Sequence, residues 1–332
     1  MVVKVRKRIL KFIRENNLIE TNDKVILGVS GGPDSMCMLD NLRIIKEEKL
    51  INFEIIVAHI NHLIREEATE DEQYVENYCN KYNIKCFLKR ADVKKIADTN
   101  KMGLEEAGRM VRYDFFEEIL KKEKANKIGI AHNKNDKAET IIMNLLRGSG
   151  LTGLKGIEPK RENKYIRPIL NLERDEIENY CKENDLEPRI DKTNFINDCT
   201  RNKIRNIVIP YIKQEFNPNI LENLNRLSII ISEEDLFIQH FIENIFNEIL
   251  IEDNENTIIL NLKEFNRQEK VVKKRIIIYS INKILGTTQN IEMINIEDLI
   301  KLCSNNIGNK YLKPNKNIKV LINKGKIFFE KL

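Results

Sequence analysis

Four short apolar runs, at residues 25–29, 53–60, 84–89 and 127–131, constrain the fold more than any other feature of the sequence. Each is rich in Ile or Val and nearly continuous in apolar character, as strands buried on both faces of a parallel sheet are. Helical patterns at about 34–47, 66–82, 92–121 and 135–147 separate them. Strand–helix alternation of this kind predicts an α/β domain with a doubly wound, mainly parallel sheet. Ligands of such sheets bind outside the carboxyl ends of the strands. Sites are therefore expected just after Val29, Ala58 and Ala131.

The pattern changes near Phe216-Asn-Pro-Asn219. A helical stretch follows at about 220–250, then a strand at 257–262, a helix reaching about 285, and a strand–turn–strand tail around Asn323-Lys-Gly325. The expected division is a catalytic domain over 1–216 and a smaller helical and α+β domain over 217–332. A length of 332 residues suits two domains, and 42% hydrophobic content supplies a core for each.

The net charge of +5 permits a polyanionic partner without demanding one. Residues 300–332 hold eight lysines against one acid, Glu330, and Lys270, Lys273, Lys274 and Arg275 form a second basic cluster. Such clusters are either solvated surface or a nucleic-acid contact. The six cysteines, at 37, 79, 86, 181, 199 and 303, contain no Cys-x-x-Cys pair. That argues against a zinc ribbon or a thioredoxin-like motif, and scattered thiols suit a reduced, cytoplasmic setting. The basic start, Met1-Val-Val-Lys-Val-Arg-Lys-Arg, lacks the apolar core of a signal peptide, and no apolar run approaches membrane-spanning length.

Gly28-Val-Ser-Gly-Gly-Pro-Asp-Ser35 joins the first strand to the first helix of the sheet. Glycines let backbone approach a ligand, successive amides make an anion nest, and Pro33 suits a first helical turn. Ser30 and Ser35 add hydroxyl donors. Asp34 would repel a bare phosphate but suits one bridged by a divalent cation. Neither G-x-x-x-x-G-K-[ST] nor G-x-G-x-x-G is present. The alternative is a plain Gly-Gly-Pro-Asp turn.

Ser30-Gly-Gly-Pro-Asp-Ser35 resembles the SGGxDS loop of the PP-loop ATP pyrophosphatases. That resemblance implies cleavage of ATP between the α and β phosphates, with Ser30, Gly31, Gly32, Pro33, Asp34 and Ser35 around ATP and Mg2+ near Asp34. Other segments resemble the tRNA(Ile)-lysidine synthase family within that superfamily. Asn61-His-Leu-Ile-Arg65 is similar to its D/N-H-x-L-R segment, which places His59 beside the nucleotide. Two histidines at 59 and 62 lack a third ligand at metal-site spacing. Glu105-Glu-Ala-Gly-Arg109-Met-Val-Arg112-Tyr113 is similar to E-x-x-A-R-x-x-R-Y, with Gly108 where Ala is usual. Glu105, Arg109, Arg112 and Phe116 share one helical face, either as an intrahelical ion pair or as phosphate ligands.

The most specific resemblance is Ala131-His-Asn-Lys-Asn-Asp-Lys-Ala-Glu-Thr140 followed by Asn144-Leu-Leu-Arg-Gly-Ser-Gly-Leu-Thr-Gly-Leu154. Asn133 stands where a second His is usual, and Lys137 where Gln is. Asp136 and Glu139, three apart, could complement the helix dipole or hold a cation, either magnesium or an ammonium group. The resemblance implies that they bind free L-lysine, and that Arg109, Arg112 and His132 serve catalysis. His132 is the candidate base for the lysine amine. Arg167-Pro-Ile-Leu170, Arg174, Asp191-Lys-Thr-Asn194 and Arg201-Asn-Lys-Ile-Arg205 are further matches. Thr200 is the expected helix N-cap, and Arg201 and Arg205 share a face that is either solvated or in contact with RNA or triphosphate.

The implied reaction converts the wobble cytidine of a tRNA(Ile) with a CAU anticodon to lysidine through an adenylated tRNA. Lys273, Lys274 and Arg275 join Arg201 and Arg205 as expected tRNA contacts, and a homodimer is plausible by resemblance. Longer family members carry a further C-terminal domain, so by this resemblance the sequence is expected to be either a short form or a fragment. A tRNA thiolase of the same superfamily, or a non-catalytic tRNA-binding protein on an ATP-binding fold, are the competing readings.

Overall fold

The computed structural model describes residues 2–64, 68–189, 197–288, 290–305 and 310–332. The Asp191–Asn194 segment and Arg65, both singled out from sequence, lie outside the described residues. The chain divides into two compact units, Met1–Ile231 and Ser232–Leu332.

In the first unit the helices in chain order are α1 (Val2–Glu15), α2 (Pro33–Glu47), α3 (Ala68–Lys81), α4 (Val93–Asn100), α5 (Leu104–Glu123), α6 (Lys134–Leu146), α7 (Leu151–Leu154), α8 (Arg174–Glu183), α9 (Thr200–Lys203) and α10 (Ile209–Glu215). The strands are β1 (Lys24–Gly28), β2 (Glu54–Asn61), β3 (Lys85–Arg90), β4 (Lys127–Ile130), β5 (Lys160–Arg161) and β6 (Tyr165–Ile166). Their spatial order is β3-β2-β1-β4-β6-β5. All neighbours pair parallel except the short β5–β6 hairpin at the edge.

Alternation along the strands explains the double winding. Val25 and Leu27 of β1 and Ile55 and Val57 of β2 point to one core, packed with residues of α1, α2, α3 and α8. Ile26, Ile56, Ala58 and Ile128 point to the other, against Phe115, Phe116 and Ile119 of α5. Period-2 residues thus serve two apolar layers, which is why the strands read as unbroken apolar runs. At Gly28 a Cβ would lie 2.5 Å from Cζ of Phe116, so the ring covers the strand where any side chain would collide.

The helical pattern over about 92–121 comprises two helices, α4 and α5. Lys101 adopts the left-handed conformation and closes α4, and Gly103 caps the start of α5. A helix ended in this way is satisfied by backbone bonds to the preceding turn.

The long helix α11 (Ile220–Ile249) begins where the sequence pattern breaks, and the division between units falls within it. The second unit is a five-stranded antiparallel sheet, in the order β7 (Leu250–Asp253), β8 (Thr257–Asn261), β11 (Lys326–Lys331), β10 (Ile318–Asn323) and β9 (Lys310–Asn315). Strand β10 buries every second residue. Its apolar face packs with α12 (Leu262–Arg267), α13 (Lys270–Leu285) and α14 (Met293–Asn305). Among the described residues no helix is long and apolar enough to cross a membrane.

Candidate functional site

The carboxyl ends of β1, β2 and β4 open into a cleft of about 1300 Å³. Residues 28–30, 32–35, 58–62, 130–132 and 136 line it, together with Arg112, Arg174 and Arg205. The three strand ends expected to carry sites therefore meet.

The loop after β1 is organised by its own residues. Gly31 has φ +88°, a conformation that glycine adopts freely. The Ser35 hydroxyl donates to the Gly32 carbonyl at 3.0 Å and accepts from the Ser30 amide at 3.1 Å. Pro33 opens α2, so its missing N–H leaves no gap in the helix.

Asp34 stands at this helix start and accepts from Nδ2 of Asn133 at 2.8 Å. Burial, and then the neighbouring Asp136, raise its pKa from 3.8 to about 6. A carboxylate so placed gains from a cation. Among the described residues no group of three His, Cys, Asp or Glu could hold a metal alone. Magnesium is usually bound through one or two carboxylates together with substrate phosphates, and a lone Asp34 beside an anion nest fits that mode.

His59 donates from Nδ1 to the Val29 carbonyl at 2.8 Å, and its buried Nε2 has no hydrogen-bond partner. Burial holds its pKa below the ordinary value. It is thus a neutral ring presenting an acceptor. On α5, Arg112 lines the cleft and Arg109 lies beside Tyr113. Neither forms an ion pair among the described residues, so the intrahelical pair with Glu105 is not made.

His132 differs from its expectation as a base. Its Nδ1 accepts from Nε of Arg167 at 3.1 Å. Burial and then the charges of Arg167, Arg201, Arg109 and Arg112 push its pKa down to about 3. The ring is therefore neutral with its proton on Nε2, which makes it a donor.

At the start of α6 the sequence pattern hides a capping box. Asn133 accepts from the Asp136 amide at 2.9 Å, and Asp136 Oδ2 accepts from the Asn133 amide at 3.0 Å. Asn133, set apart from sequence as a departure, thus links this helix start to Asp34. The spacing Asn-x-x-Asp was the available signal.

Asp136 and Glu139 are not free carboxylates. Arg201 donates from Nε to Glu139 Oε2 at 2.8 Å and from Nη2 to Asp136 Oδ1 at 3.1 Å. Arg205 donates from Nε to Glu139 Oε1 at 2.6 Å and from Nη2 to Asp136 Oδ1 at 3.1 Å. Glu139 is fully buried. Arg201 and Arg205 therefore face inward and are not a solvated basic face. Their segment starts at Cys199, which takes the N-cap position expected of Thr200, and passes into a π-helical turn at Ile204–Val208. In the second unit, Lys274 pairs with Glu297 at 3.0 Å and Arg275 with buried Asp235 at 3.0 Å. Only Lys273 of that expected tRNA-contacting trio makes no ion pair among the described residues.

The PP-loop domain family matches residues 1–212. A tRNA(Ile)-lysidine synthase of Clostridioides difficile is 43% identical over 321 residues, 96% of this chain and 69% of that protein. The chain belongs to the tRNA(Ile)-lysidine synthase family of PP-loop proteins. Another family member, from Clostridium perfringens, is 44% identical over 92% of this chain but only 64% of its own length. The chain thus spans 64% to 69% of the length of these two relatives. A solved U34-tRNA thiolase, NcsA from Methanococcus maripaludis, aligns with TM-score 0.56 at 19% identity, over 69% of this chain and 80% of that one, and so shares the fold.

Proposed function

We propose that the chain catalyses ATP-dependent ligation of lysine to C2 of the wobble cytidine in a tRNA(Ile) with a CAU anticodon. The observation that carries this reading is the direct bond between Asp34 of the phosphate loop and Asn133, the cap of the helix bearing Asp136 and Glu139. That bond supports a reading in which the phosphate loop works beside a pair of acids proposed to take an amine. The family relatives support the same reading by name.

In the proposed first step the cytidine C2 oxygen attacks the α-phosphate of ATP, and pyrophosphate leaves. The backbone of Gly31 and Gly32 and the hydroxyls of Ser30 and Ser35 cradle the phosphates, and His59 lies along the nucleoside. Mg2+ held at Asp34 would offset charge on the phosphates. Arg109 and Arg112, which form no ion pair among the described residues, would stabilise the charge that develops on the phosphoryl oxygens. In the second step the lysine ε-ammonium gives up one proton to solvent, the resulting amine attacks C2, and the bond from C2 to its former oxygen breaks as AMP departs with that oxygen.

Asp136 and Glu139 are the proposed lysine dock, and the Arg201 and Arg205 pairs shape how lysine arrives. The ammonium would replace a guanidinium, one cation for another. Arg201 is the candidate to yield, because its side chain is 30% exposed against 15% for Arg205.

The test is incorporation of labelled lysine into CAU-anticodon tRNA(Ile) with release of AMP and pyrophosphate, omitting each substrate in turn. Sulfur transfer to the tRNA in place of lysine would favour the thiolase reading. Binding of tRNA without AMP formation would favour a non-catalytic protein.

A further inference from the structure

We infer that Arg167 is a positioning residue for the proposed reaction, fixing His132 as an Nε2–H donor toward anionic oxygen in the cleft. The inference rests on the function proposed above and adds to it a residue that had no role there. Arg167 is only 6% exposed. It is held at three points. Its amide donates to the Pro159 carbonyl at 2.9 Å, its Nη1 to the Glu158 carbonyl at 2.5 Å, and its Nε to Nδ1 of His132 at 3.1 Å. The backbone of His132 is held in turn, its amide donating to the Ile130 carbonyl at 2.9 Å.

A guanidinium only donates, so the imidazole nitrogen facing it must be the bare one. The proton then belongs to Nε2. The same surroundings remove a role as base. Protonating the ring would place another cation among Arg109 and Arg112 of α5, Arg201 of α9 and Arg167 itself. What these groups attract is negative charge. The ligand chemistry that fits an N–H donor among guanidiniums, at the mouth of a phosphate loop, is a phosphoryl oxygen.

Two measurements test this. In protein carrying 15N-histidine, the His132 signals, identified by their loss in His132→Gln, should report a bare Nδ1 and a protonated Nε2 between pH 6 and 8. In Arg167→Leu the tautomers should mix. The reverse tautomer in the unaltered protein would overturn the inference, whether or not Arg167→Leu folds, and so would an unchanged tautomer in a folded Arg167→Leu.

The second measurement is kinetic. Loss of one such donor costs about 100-fold in kcat, so His132→Ala should fall by about that factor. His132→Gln, whose amide NH2 reaches the Nε2 position, should retain at least about a tenth of the rate. Arg167→Leu should lower kcat about 10-fold or more and leave KM for ATP and lysine within about threefold, as expected of an interaction made in the transition state. Equal loss in the Gln and Ala variants would show that His132 does not act as a donor. If the unaltered protein incorporates no lysine, the function proposed above fails while the tautomer result still stands.

Discussion

Residues 30–35 and residues 133–139 meet at one cleft, through Asp34 and Asp136, but are built by opposite means. The phosphate loop is shaped mainly from within, its hydroxyl bonds joining residues no more than five apart, while Asn133 reaches Asp34 from outside. The acidic helix start depends on distant chain, with Arg201 and Arg205 arriving from 62 to 69 positions further on. One part is made of small residues and backbone, and the other of four buried or half-buried charges. The first should therefore tolerate change in stability but not in activity. The second should suffer in both.

The largest expected effect lies in the loop. Asp34→Asn keeps the bond geometry to Asn133 but removes the charge that would hold a cation. Lysine incorporation should fall by about a thousandfold or more, equivalent to about 4 kcal/mol in the barrier. The ligand-free protein should at the same time become no less stable, because burial and Asp136 already disfavour the Asp34 charge. Activity within tenfold of the parent would break the assignment of the loop.

The contrast also explains what the sequence could reveal. The central strands β1, β2 and β4 were legible because they are buried on both faces and carry their own apolar signature. The loop was legible because its glycines, proline and hydroxyls act through local backbone. The end of α4 turns on Lys101 in a left-handed conformation, for which lysine gives no cue, whereas Gly103 marks the start of α5. Arg201 and Arg205 looked like a basic helix face, since nothing in a local window tells a cation that meets solvent from one that meets a buried acid. The same holds for Arg275, whose partner Asp235 lies 40 positions away. Long-range pairing of charges is not a periodic signal.

Glu139→Gln attacks the non-local half. It leaves the Arg201 and Arg205 pairs without their shared buried carboxylate, and breaking such a set from one side costs about 3–5 kcal/mol. Denaturant unfolding of the first unit should show that loss. A change under about 1 kcal/mol would mean that water or another acid replaces the pair.

Lys137 gives a pH-dependent version of the test. It is 6% exposed and its Nζ donates to Asn225 Oδ1 at 3.1 Å. Burial lowers its pKa from 10.5 to about 8. A depressed folded pKa means that folding disfavours the proton, so the stability cost is full below pH 8 and disappears above about 10.5. Lys137→Gln, which restores the residue usual in the family motif, should raise stability at pH 7 by about 3 kcal/mol. The gain should shrink to nothing across the window from 8 to 10.5. A gain that does not vary with pH would place the cause in packing rather than charge.

The smallest expected effect decides how the two halves cooperate. If lysine takes the place of a guanidinium, Arg201 is its competitor inside the protein. Arg201→Gln should then lower KM for lysine about three- to tenfold, with KM for ATP unchanged, since each tenfold corresponds to about 1.4 kcal/mol. Arg205 and the remaining capping bonds would still hold Glu139 and Asp136 in place. A rise in KM for lysine would instead make Arg201 part of the lysine site, and equal changes for lysine and ATP would make the whole charged set a support for the cleft. Either outcome would remove the exchange of cations, and with it the idea that this end of the cleft is rebuilt when substrate arrives.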